Sequence, residues 1–118
     1  MISVKFNQDA ETETISLKVE GHAGQNEKGK DIICSAASIL SYTVAQYLNY
    51  VHTCKGLQKK PRVDIKDGDV LIVAKPTKEF EAEVLNAFFV AEVGYSLLAH
   101  NYPEYVELSM FGEAEQQS

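Results

Sequence analysis

GHAGQNEKGKDIICSAAS, Gly21 to Ser38, separates two regions of different periodicity. Upstream, Ile2, Val4 and Phe6 alternate with Ser3, Lys5 and Asn7, and Ile15, Leu17 and Val19 alternate with Thr14, Ser16, Lys18 and Glu20. A period of two is that of half-buried strands, with Asp9 to Glu13 as the turn between them. Downstream, from Ile32 to about His52, the residues Ile33, Ala36, Leu40, Val44, Tyr47, Leu48 and Val51 follow an i, i+3, i+4 stripe, which predicts a helix. Gly21, Gly24 and Gly29 mark the loop that turns the chain from strand to helix. Asp31 is the expected N-cap, which puts Cys34 at the third helical position.

Beyond the helix, a basic linker ending at Pro61 leads to Val63 and Ile65, a turn signal at Lys66-Asp67-Gly68-Asp69, and an apolar strand from Val70 to Ala74. Thr77 is the expected cap of a second helix whose first turns carry Glu79, Glu81 and Glu83, signs that suit the positive end of the helix dipole. Its predicted buried face is Phe80, Val84, Phe88, Ala91, Tyr95 and Leu98, and Asn101 with Pro103 ends it. Val106, Leu108 and Met110 alternate with Glu107 and Ser109 as a last strand. The order ββαββαβ implies an α+β fold, a two-layer sandwich of a mixed β-sheet with two helices on one face. One domain over 1–111 and a polar C-terminal tail over 112–118 account for the whole sequence.

A net charge of −6 argues against nucleic acid as a partner, because phosphate binding relies on clustered Lys and Arg. Lys55, Lys59, Lys60 and Arg62 do cluster, but between predicted elements, where they read as a solvated loop. An acidic protein suits a basic polypeptide instead. Met1 to Phe6 alternates and lacks the apolar run of a signal peptide. No segment approaches the roughly 18 uninterrupted apolar residues of a membrane span, so no membrane partner is expected. Two cysteines in such a chain imply free thiols and a cytoplasmic location.

His22 on the glycine-punctuated loop and Cys34 at the helix start are the residue types of a cysteine nucleophile and its base. Free cysteine is only slightly ionised at neutral pH, and a helix terminus contributes about 0.3–1 kcal/mol toward the anion, partly opposed by a capping Asp31. A protonated His22 nearby supplies the rest, so the two residues work as a unit. Twelve extended residues reach ~40 Å, and contact therefore requires the loop to fold back over the helix start. Lys28 and Lys30 add positive field, and the amides of Cys34 and Ser35 are the expected oxyanion donors. Taken singly, such a histidine reads as a surface residue and such a cysteine as a buried one.

Gly21-His22-Ala23, then Gly29-Lys30-Asp31-Ile32-Ile33-Cys34, then Ala36 and Ser38, resemble the bacterial ribosomal-processing cysteine protease family, Prp. Length and element order extend the likeness over most of the chain. The resemblance implies a thiol protease of ribosome biogenesis, a cytoplasmic homodimer that removes an N-terminal extension from a large-subunit ribosomal protein, with related activity on phage capsid or scaffold proteins. It implies Cys34 as nucleophile and His22 as base, with Gly21 as loop hinge and Asp31 and Ser38 as supporting site residues. Gln25 and Lys28 stand where many members carry loop aromatics, and Ser35 where alanine is usual; these differences bear on the choice of substrate.

The function expected is that of a cysteine endopeptidase with a polypeptide substrate and no metal or organic cofactor. The alternative is a non-catalytic peptide-binding or assembly module of the same fold. Cys34 and Cys54 lie ~30 Å apart along a continuous helix, far beyond the ~7 Å a disulfide allows, and for the same reason neither converges with His22 and His52 on zinc. His52 and Cys54 read as helix-end and linker residues, and His100 as a favourable cation at a helix C-terminus. Tyr42, Tyr50 and Phe89, off the main stripes, are candidates for a dimer contact.

Overall fold

A computed structural model describes residues 1–22 and 30–111 of the 118. The alternating N-terminal segments form β1 (Ile2–Asp9) and β2 (Thr14–Glu20), paired antiparallel with Phe6 opposite Leu17. Their turn is closed by the Asp9 carboxylate, whose Oδ1 accepts from the amides of Glu11 at 2.9 Å and Thr12 at 3.3 Å. An aspartate does this because its short side chain reaches amides two and three residues on. α1 (Lys30–Thr53) follows, then the hairpin β3 (Arg62–Lys66) and β4 (Asp69–Ala74), α2 (Glu81–Asn101) and β5 (Val106–Ser109).

The strands form one five-stranded sheet in the order β3-β4-β2-β1-β5. Only β5 runs parallel to its neighbour, with Ile2 opposite Val106, and the other pairings are antiparallel. The sheet is mixed, as the element order requires. Period-two patterning puts Ile2, Val4, Phe6, Ile15, Leu17, Val19, Val70, Ile72 and Ala74 on one buried face, and the helices supply the other half of that core. From α1 come Ile33, Ala37, Val44, Leu48 and Val51, and from α2 Val84, Phe88, Ala91, Tyr95 and Leu98. Fully burying each large aliphatic or aromatic side chain contributes about 1.5–3 kcal/mol, so this shared layer is what holds helices to sheet.

Three details differ from the sequence reading. α1 begins at Lys30, so Asp31 is its second residue and not its cap, and Cys34 is its fifth. Thr77 does not cap α2: its hydroxyl and carbonyl oxygens accept from the Phe80 amide at 3.4 and 3.1 Å, closing a separate turn before the helix starts at Glu81. The buried stripe of α2 holds Val84, Phe88, Ala91, Tyr95 and Leu98 as expected, but Phe80 precedes the helix and is only partly buried, and Val90, Val93 and Leu97 on the outer side are exposed. Apolar all round, α2 is long and apolar enough to cross a bilayer by length and composition, but its inner stripe forms the protein core.

Glu92, also buried, accepts the Phe111 amide at 2.9 Å. Phe111 in turn packs 5.3 Å from the Phe6 ring and 5.0 Å from Phe89, so it closes the core at the end of the domain. The 112–118 tail lies outside the described residues.

Candidate active site

β2 ends at Glu20, and the residue after it cannot continue the strand. Gly21 has φ +94°, a conformation that residues with a side chain rarely adopt, and a Cβ there would run into the Met1 carbonyl oxygen. Its amide donates to the Gly68 carbonyl at 2.9 Å, and the Met1 ammonium donates to the His22 carbonyl at 2.7 Å. The backbone at residues 21 and 22 is thus held on both sides where it leaves the sheet.

From there the His22 ring lies over the β3–β4 turn. A Cβ on Gly68 would come within 2.8 Å of His22 Cε1, and Asp67 Oδ1 is 3.9 Å from His22 Nδ1. The turn reaches this place through strand register: Glu20 pairs with Asp69, so Asp67 and Gly68 extend just past the end of β2.

Cys34, on the second turn of α1, is half-buried and a free thiol. It and His22 line the same cavity, of about 320 Å³. Gly21, Ser38 and Ser41 contribute to it, and Ile2, Val19, Ile65 and Val70 give it apolar walls. Cys34, Ser38 and Ser41 share one face because residues three and four apart on a helix are neighbours. Among the residues expected in the site, His22, Cys34, Gly21 and Ser38 are therefore brought together. The side chains of Lys30 and Asp31, and all of Gly24, Gln25, Lys28 and Gly29, lie outside the described residues.

A helix start at Lys30 also alters the expected electrostatics. The dipole's effect falls off within the first turn, and amides at the fifth and sixth helical residues are engaged by carbonyls one turn back. Cys34 and Ser35 are not free oxyanion donors in this helix.

Lys66, Asp67, Gly68, Ser41 and Tyr42 line the cavity as well, and sequence reading did not assign them to the site. The Asp-Gly turn was legible as a turn, but its place beside His22 depends on a non-local register. Cys54 and His52 are exposed at the far end of α1, and His100 sits in the last turn of α2. No group of three or more His, Cys, Asp or Glu side chains suited to a metal ion occurs among the described residues.

Residues 1–107 match the sequence model of the cysteine protease Prp. The chain belongs to the Prp family. Among solved structures the chain is similar to SMU.848 from Streptococcus mutans, with a TM-score of 0.65 and 27% identity over 94% of this chain and 95% of that one. Two crystal structures of the Staphylococcus aureus ribosomal processing protease Prp are also similar. One, with a covalently linked product peptide, has a TM-score of 0.65 and 21% identity, and the other, with a substrate peptide, 0.64 and 19%. Each covers 94% of this chain and 99% of its own. No curated protein matches the chain significantly. Prp is a family of cysteine proteases involved in ribosomal protein processing, and the α+β sandwich read from the element order is its fold.

Proposed function

We propose that this Prp family member is an endopeptidase in which Cys34 is the nucleophile and His22 its base, acting on a ribosomal large-subunit protein with an N-terminal extension. The observation that carries this reading is the meeting of His22 and Cys34, twelve residues apart, at one cavity. His22 Nε2 or Nδ1 takes the Cys34 proton, and the sulfur attacks the scissile carbonyl. The imidazolium then protonates the leaving amine, a thioester remains on Cys34, and His22 activates the water that releases the product acid. Ser38, one turn on from Cys34, is placed to hydrogen-bond the peptide backbone. By the family resemblance Asp31 is a supporting residue of the site and Gly21 its hinge.

A cytoplasmic setting fits this chemistry, since a reducing compartment keeps Cys34 a thiol. A homodimer fits the outer helical surface, where Tyr50 of α1 and Val90, Val93 and Leu97 of α2 are all at least 60% exposed. The S. aureus Prp complexes with peptides support a polypeptide substrate. The test is incubation with the large-subunit ribosomal proteins of the same genome, followed by mass spectrometry. A truncated product that forms with the wild type and not with Cys34→Ala is expected. Absence of any truncation, with peptide still retained, would favour the non-catalytic binding module, and a truncated phage capsid or scaffold protein would move the substrate to that class.

A further inference from the structure

We propose that the β3–β4 turn, Asp67-Gly68, is a positioning element for the His22 imidazole, with Gly68 as the seat of the ring and Asp67 as the carboxylate that orients Nδ1. The inference rests on the reading of His22 as the base of Cys34. Three contacts of different kinds support it. The Gly68 carbonyl accepts the Gly21 amide at 2.9 Å, which fixes the backbone one residue before His22. Gly68 itself has φ +74° and no side chain, and a Cβ would run into His22 Nε2 and stand 2.8 Å from Cε1, so the Nε2–Cε1 edge of the ring packs directly on the turn backbone. Asp67 Oδ1 lies 3.9 Å from Nδ1, a charge contact longer than a hydrogen bond, which favours the ring orientation that keeps Nδ1 toward the turn.

Lys66 and Tyr42 are the other charged or titratable side chains at this cavity besides Cys34 and Asp67, and the Met1 ammonium is committed to the His22 carbonyl. Among the described residues lining the cavity, Asp67 is the carboxylate. An exposed carboxylate at this distance contributes little to stability, but a weak contact suffices to choose between ring orientations. Asp67 also acts by charge, favouring the imidazolium that stabilises a Cys34 thiolate, so a changed tautomer pattern of the ring nitrogens, and not the loss of rate alone, is the mark of positioning.

The experiment measures alkylation of Cys34 by iodoacetamide at neutral pH in a Cys54→Ser background, together with nitrogen chemical shifts of the His22 ring by NMR. His22→Ala slows alkylation by about tenfold or more. Asp67→Asn slows it about two- to fivefold and shifts the ring resonances, and Asp67→Glu recovers most of the rate. Gly68→Ala displaces the ring and approaches the His22→Ala rate. If His22→Ala is slow while Asp67→Asn and Gly68→Ala react like wild type, the turn has no positioning role and the protease reading stands. Unrescued loss in Asp67→Glu overturns the orienting role of the carboxylate. Wild-type alkylation in His22→Ala overturns the underlying pairing of His22 with Cys34. The Asp67 variants keep the test decisive where Gly68→Ala does not fold.

Discussion

The Tyr95 hydroxyl on α2 donates to the Ala37 carbonyl on α1 at 2.8 Å and lies 2.6 Å from the hydroxyl of Ser41. This bond joins the two helices one turn past Cys34, and Ser41 is itself part of the cavity wall. Burial raises the Tyr95 hydroxyl to about 12, with the Ser41 hydrogen bond acting against the rise. The folded state thus holds a proton that an unfolded tyrosine releases near pH 10, and the resulting stability is present below pH 10 and lost as pH rises toward 12. Its size is on the order of 2–3 kcal/mol. Tyr95→Phe is expected to flatten the fall in denaturant midpoint between about pH 9.5 and pH 11 relative to wild type. Parallel curves for the two proteins would show that Tyr95 ionisation does not govern alkaline unfolding.

Cys34 is half-buried, and the change of one atom in Cys34→Ser removes the thiol without opening a cavity. Peptide cleavage should vanish in Cys34→Ser and Cys34→Ala, with stability within about 1 kcal/mol of wild type. Circular dichroism with a cleavage assay checks both. Cleavage surviving in purified Cys34→Ala would remove the nucleophile from this position.

Tyr50, Val93 and Leu97 present apolar surface on the outer side of both helices. A charge placed there should separate a homodimer without disturbing the core, since none of the three is buried. Val93→Lys with Tyr50→Lys is expected to halve the mass measured by light scattering. An unchanged dimer would locate the interface elsewhere, and a monomeric wild type would dispose of the dimer.

The strands and the inner helix stripes were readable because burial follows short-range periods, as at Ile15-Leu17-Val19 and Val84-Phe88-Ala91-Tyr95-Leu98. That His22 and Cys34 would share one cavity was readable from residue type, glycine placement and family resemblance. The start of α1 was misplaced by Asp31, whose strong N-cap preference is overridden by a helix that begins at Lys30, two residues before the expected first helical residue. The outer face of α2 and the Asp67-Gly68 seat were not readable. Alternation says which way a strand faces but not which residue it meets, and Glu20 opposite Asp69 is what carries the turn to His22.

The family resemblance implies Gly21 as a loop hinge, a role in which substitution would cost turnover with modest loss of stability. Its positive φ and the Met1 carbonyl oxygen in the path of any Cβ now predict a larger structural cost. A side chain in that conformation is strained by about 1–3 kcal/mol, and relieving the clash displaces Met1, whose ammonium holds the His22 carbonyl. Gly21→Ala should therefore lower the thermal midpoint by several degrees, at about 3–6 °C per kcal/mol for a domain of this size, and reduce cleavage and Cys34 alkylation together. His22→Ala is the comparison, because it should lower reactivity with the midpoint nearly intact. A Gly21→Ala protein with the wild-type midpoint and reduced turnover would restore the simple hinge, and one with both properties of the wild type would leave Gly21 without a role in the site.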